Sequence, residues 1–126
     1  MRVLYLTMNP NRESTTVPTE GWFRLLRPKG LEPVLVSSTA GAFSAWAQSE
    51  GVPCYEVPLP FPDRRKPFKF LRSLWRVVMI ARRHRIQLVH CNEHDIYPIG
   101  QYVARLMRVP VVISVHFTIL DGYSRW

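Results

Sequence analysis

Short runs of β-branched and aliphatic residues alternate along this chain with segments whose apolar positions recur every three or four residues. The runs at 2–8, 31–38, 52–57, 86–91 and 109–115 predict five strands. After the first comes a polar loop, 9–18, and then a short helix that Thr19 can cap, running through Arg27. Glu20 stands in its first turn, where the helix dipole favours an anion, and Pro28 and Gly30 stop it. Further helices are predicted at 40–50, ended by Gly51, at 67–84, and from Asp95, as N-cap, through Arg108. Pro58, Pro60 and Pro62 make a stiff, extended connection that cannot join a sheet interior. Five strands with four intervening helices imply an α/β fold, a doubly wound, mostly parallel, Rossmann-like sheet. Right-handed crossovers then gather every strand-to-helix loop on one edge.

Open sheets of this kind bind ligands beyond the carboxyl ends of their strands. The predicted tips there are Thr7-Met8-Asn9, Ser37-Ser38-Thr39, Asn92-Glu93-His94-Asp95 and His116-Phe117-Thr118. His116, delivered by the run VVISVHFT, could act as a general acid or base, donate a hydrogen bond to a sugar or phosphate, or serve structurally. Asn92 and Glu93 are placed to meet substrate hydroxyls, with Asn9, His94 and Thr118 as further candidate binding residues. His90, inside its strand, reads as a core residue with its hydrogen bonds satisfied.

The segment MNPNRESTTVPTEG after the first strand excludes several activities common to this architecture. It lacks the GxGxxG of a dinucleotide site and the GxxxxGK[ST] of a phosphate loop, and the first strand's tip has no acidic phosphoacceptor cluster. No HxH or HExxH spacing suggests a metal, and no cofactor is expected. Cys54 and Cys91 lack CxxC spacing and are expected as buried free thiols.

With 126 residues, 47% of them hydrophobic, one domain with a real core is expected. No apolar run approaches the roughly 20 residues that span a bilayer, and the amino terminus is too short in apolar residues for a signal peptide. A cytoplasmic location is therefore expected. Net charge is +8, and the excess is local. Nine basic residues (Arg64, Arg65, Lys66, Lys69, Arg72, Arg76, Arg82, Arg83 and Arg85) fall within 63–85 against one acid, Asp63. On the helix at 67–84, Leu71, Leu74, Val78 and Ala81 form one stripe, with Phe70 and Val77 beside it, expected to pack on the sheet. Lys69, Arg72, Arg76 and Arg83 lie opposite, with Trp75 near the margin. That face suits either plain solvent or an anionic membrane surface. No nucleic-acid-binding module is present.

Several segments then carry a family resemblance. The opening RVLYLTM, the run RLLRPKGLEPV, the segment GVPCYEVP, the strand LVHCN, and above all RLMRVPVVISVH ending at His116 resemble the amino-terminal domain of retaining glycosyltransferases of the family 4 type. The last is similar to that family's ARLLGVPVVxTVH. The resemblance covers nearly the whole chain. It implies one half of a GT-B fold, the acceptor side, with a separate carboxyl-terminal domain binding a nucleotide-sugar donor. It implies that His116 touches the transferred sugar or the acceptor, and that the acceptor is a sugar, a polysaccharide or a lipid-linked molecule. In that family a Gly-Gly pair in the first loop meets the donor phosphates; only Gly21 stands near that position here. On this reading the end at Trp126, shortly after the fifth strand, is expected to be a truncation within a longer protein. A non-catalytic α/β module binding an anionic ligand or partner is the alternative.

Overall fold

The apolar runs become a five-stranded parallel sheet because both faces of its central strands are covered by helices. In the computed structural model, which describes residues 1–116, the strands are β1 (Arg2–Thr7), β2 (Glu32–Ser37), β3 (Cys54–Glu56), β4 (Leu88–Cys91) and β5 (Val111–Ile113). Their order is β3-β2-β1-β4-β5, with every pairing parallel. The helices are α1 (Val17–Leu26), α2 (Ala42–Ser49), α3 (Pro67–Arg83) and α4 (Tyr97–Met107). The predicted doubly wound, Rossmann-like α/β fold is what the chain adopts.

Alternation along β1 distributes its side chains between two apolar layers. Val3 and Tyr5 pack with Leu35, Phe23 of α1 and Phe43 and Ala47 of α2. Leu4 and Leu6 pack with Val34, Val36 and Val89, and with Val77 of α3 and Val103 of α4. Full burial of each such side chain contributes about 1.5–3 kcal/mol. A near-continuous apolar strand is the signature of a sheet buried on both faces.

Four details differ from the sequence expectation. First, α1 starts at Val17 rather than after Thr19, because Pro18 has no amide to lose in a first turn. Thr16 rather than Thr19 stands at the N-terminal boundary, and Thr19 turns inward. Second, Asp95 does not cap α4: a 3-10 turn, His94–Ile96, intervenes, and no side chain caps either element. Third, β5 is three residues long instead of seven. Pro110 has no donor, and an edge strand has a neighbour on one side only. Fourth, α3 is rotated from the predicted stripe. Phe70, Ser73, Val77, Val78 and Ala81 are buried, whereas Leu71 is 54% exposed. Phe70 turns toward α4 and meets Tyr102 edge-on, with ring centroids 5.7 Å apart. Among the described residues, no helix is long and apolar enough to cross a membrane.

Candidate functional site

Strand order reverses between β1 and β4: the chain leaves β1 toward β2, and returns to β4 on the opposite side before moving outward to β5. Connections from β1 and β4 therefore depart over opposite faces, and in open sheets of this kind ligands bind beyond the carboxyl ends of the strands at such a reversal. Thr7, Met8 and Asn9 from β1, Asn92 and Glu93 from β4, and His116 from beyond β5 converge there.

Glu93 joins the two central tips. Its Oε1 accepts hydrogen bonds from Thr7 Oγ1 (2.7 Å) and Asn92 Nδ2 (3.1 Å), while Oε2 accepts one from the Met8 amide (3.0 Å). Asn92 is buried and ties β4 to the first loop and α1. Its Oδ1 accepts from Thr19 Oγ1 at 3.1 Å, and its Nδ2 also donates to the Thr15 carbonyl at 3.0 Å. Asn9 folds that loop on itself: Oδ1 accepts from the Asn11 amide (2.9 Å) and Nδ2 donates to Thr15 Oγ1 (2.8 Å). An asparagine side chain bonding two residues onward is a turn in miniature. Arg12 then bridges to the buried Glu20 through two bonds, of 2.6 and 2.9 Å, and lies 5.6 Å over the Trp46 ring. The Pro10 carbonyl accepts from the Phe43 amide, bringing the loop against the start of α2. A Cβ at Gly41 would collide with Pro10 there.

His116 Nε2 lies 2.7 Å from the Asn92 carbonyl oxygen. A carbonyl only accepts, so Nε2 carries the hydrogen and Nδ1 is left as the nitrogen available to accept one. His90 is held differently. It is buried, bonds Ser114 Oγ at 2.7 Å, and stacks on Trp22 at 5.1 Å. Burial, then the charge of His116, lowers its pKa to about 4, so it is neutral near pH 7. This agrees with the reading of His90 as a satisfied core residue. Both cysteines are free; burial pushes the Cys54 thiol up to about 11 and that of Cys91 to about 12, which makes them poor nucleophiles.

Of the sequence candidates, Asn9, Asn92, Glu93 and His116 come together at one rim. Asn92 and Glu93 direct their polar atoms into the protein's own network, whereas open crevice-facing groups had been expected. His94 is beside them, its Nε2 3.0 Å from Asp95 Oδ1. Gly21 does not lie in a phosphate-facing loop: it sits inside α1, where an added Cβ would meet nothing within 4 Å. Thr118 lies outside the described residues. Lys69, Arg72, Trp75, Arg76 and Arg83 are exposed on α3, a separate surface. Sequence reasoning missed Thr15 and Thr19 as partners of Asn92. The only hint was the density of hydroxyl residues in the 13–19 segment.

A comparison with curated proteins finds no match. Among solved structures, Acinetobacter baumannii MurG is similar with a TM-score of 0.71 at 16% identity, over 90% of this chain and 34% of that one. Anabaena Alr3699/HepE in complex with UDP gives 0.69 at 17% identity, over 90% and 29%. A glycosyltransferase from Rickettsia africae gives 0.69 at 16%, over 97% and 32%. The chain thus spans about a third of each, and the likeness is one of fold, that of a Rossmann-like half of GT-B glycosyltransferases. The profile described as glycosyl transferase 4-like domain matches residues 16–126. This chain belongs to the glycosyl transferase 4-like domain family.

Proposed function

We propose that this chain is the acceptor-side domain of a glycosyltransferase that moves a sugar from a nucleotide-sugar donor to an acceptor with retention of anomeric configuration. The donor nucleotide would be held across the cleft by a second domain, and the protein would work at the cytoplasmic side. HepE, solved with UDP, supports a nucleotide diphosphate as the donor's leaving group. The observation that carries the reading is the placement of His116 at the reversal-point rim, in a chain of this family.

The chemistry follows from that placement. With Nε2–H anchored on the Asn92 carbonyl, the imidazole is oriented, and Nδ1 can accept a hydrogen bond or proton from a sugar or acceptor hydroxyl. The Thr7–Glu93–Asn92 network acts behind it by holding the β1 and β4 tips in register, a positioning role. Departure of a diphosphate needs preorganised donors, which backbone amides and basic groups can supply without a metal or any dissociable cofactor.

The test is sugar transfer by the complete gene product with UDP- and TDP-sugars, the anomeric configuration of the product being read by NMR. His116→Ala is expected to lower turnover by about 10²–10⁴-fold. Its unfolding free energy should change by no more than about 1 kcal/mol, since one half-exposed hydrogen bond is lost. Near-normal turnover of that variant would reduce His116 to a packing residue and leave the rim as a binding surface.

A further inference from the structure

Helix α3 carries two apolar stripes, and the core uses only one. Phe70, Val77 and Ala81 face the sheet. On the opposite side Phe68 is 81% exposed, Trp75 62%, Leu71 54% and Met79 45%. At about 100° per residue these four fall within about 80° of arc, over roughly 16 Å of helix. Large apolar residues gathered on the solvent face of a helix mark a contact surface.

The surrounding charge says what kind. Arg72, Arg76 and Lys69 border the stripe along one flank, and Arg82 and Arg83 close its carboxyl-terminal end. The seventeen residues of α3 include no acid. Beside the same flank, the proline strap and the helix enclose a cleft of about 450 Å³ lined by Pro58, Pro60, Lys69, Arg72, Ser73 and Arg76, with room for a phosphate headgroup. An apolar centre with a cationic border is ill suited to nucleic acid, which puts its charge where the centre lies. A second copy of this face would bring like charges together.

We propose that the outward face of α3 docks on an anionic lipid bilayer, with Phe68, Leu71, Trp75 and Met79 at the headgroup–acyl boundary and the flanking cations on lipid phosphates. Trp is suited to that depth, having an apolar body and a polar N–H. Since α3 follows β3, it begins at the carboxyl edge of the sheet, the edge that bears the His116 rim. Docking therefore sets that rim close to the membrane. The inference stands on α3 and is independent of what the rim does.

The experiment is vesicle flotation of the full 126-residue chain, with phosphatidylcholine alone and with phosphatidylcholine mixed with phosphatidylglycerol. Recovery is expected with the anionic vesicles, little with the neutral ones, and less as salt rises. Arg72→Gln and Arg76→Gln should each weaken partitioning about five-fold, the equivalent of about 1 kcal/mol per surface cation. The Phe68→Ser/Trp75→Ser pair should weaken it more than either. Lys29→Gln, a cation removed from the turn after α1 and so not on the face of α3, should leave it unchanged. These side chains are exposed, so circular dichroism should match the parent and any loss of binding is not a loss of fold. Equal recovery from both vesicle types, or insensitivity to the α3 substitutions, overturns the proposal. So does concentration-dependent self-association abolished by the Phe68/Trp75 pair without vesicle binding, which would make the face a contact between copies.

Discussion

His90 lies within β4 and His116 just beyond the neighbouring β5, and one belongs to the core while the other belongs to the rim. His90 is enclosed by Tyr5, Trp22 and Ser114, which fits the neutral ring and leaves a charged one poorly solvated. Its pKa is therefore about 4 when folded, against about 6.5 when unfolded. Between those values the unfolded chain holds more protons, so stability rises with pH through the window and falls as pH drops from 6.5 toward 4. The loss should reach about 2–3 kcal/mol near pH 4. Urea unfolding of the parent and of His90→Gln at pH 7 and at pH 4.5 checks this. The variant should lack most of the acid loss, and identical slopes for both would refute the assignment. At this scale, sequence legibility was uneven. His90 could be recognised as interior from its place within an apolar run. Asn92 and Glu93 could be placed at the right tip but not given the right task, because their partners Thr19, Thr15 and Thr7 lie 73, 77 and 86 residues away. No local spacing encodes such pairings.

At the scale of elements, two glycines with opposite surroundings show how context assigns a residue its work. Gly21 drew attention as the lone glycine after β1, but α1 begins early enough to include it, with open space beside its Cα. Gly100, in α4, is buried where a Cβ would strike Cys91 Sγ, so α4 can approach β4 closely only without a side chain there. Gly21→Ala is expected to raise stability by about 0.5–1 kcal/mol, the ordinary helix preference of alanine over glycine. Gly100→Ala should cost about 1–3 kcal/mol by overpacking. Thermal or urea unfolding of the two variants separates them; destabilisation by Gly21→Ala would show that its backbone is under a constraint the fold does not reveal. The same lesson applies to α3. With apolar residues on both faces, periodicity admits more than one core stripe. Contact with the sheet and with Tyr102 selects the one containing Phe70 and leaves Leu71 outside.

At the scale of the whole molecule, strand pairing among the described residues thins outward from the centre, which predicts a stability gradient in the same direction. Its existence could be anticipated from alternating elements, but the lengths of the edge strands could not. β1 is buried from Val3 to Thr7 and is bonded on both sides, in six register pairs to β2 and four to β4. At the edges, β3 and β5 have three pairs each, and Val112 of β5 is 47% exposed. Opening β5 therefore exposes little apolar surface and breaks one short ladder, whereas opening β1 breaks the sheet. Amides such as Ser114, bonded to the Cys91 carbonyl, should exchange with solvent about tenfold or more faster than those of Leu4 to Leu6. A tenfold difference corresponds to about 1.4 kcal/mol in opening free energy. Native-state hydrogen exchange read by NMR measures it directly. This gradient has a consequence for the rim: the β1 and β4 tips, clamped by Glu93, form its steady part, while His116 is carried by the strand most easily opened. A ligand that bridges the two should slow exchange in β5 more than in β1. Uniform protection across all five strands in the unliganded protein would mean that the edge is held by contacts other than this ladder, and His116 would then be as firmly placed as the centre.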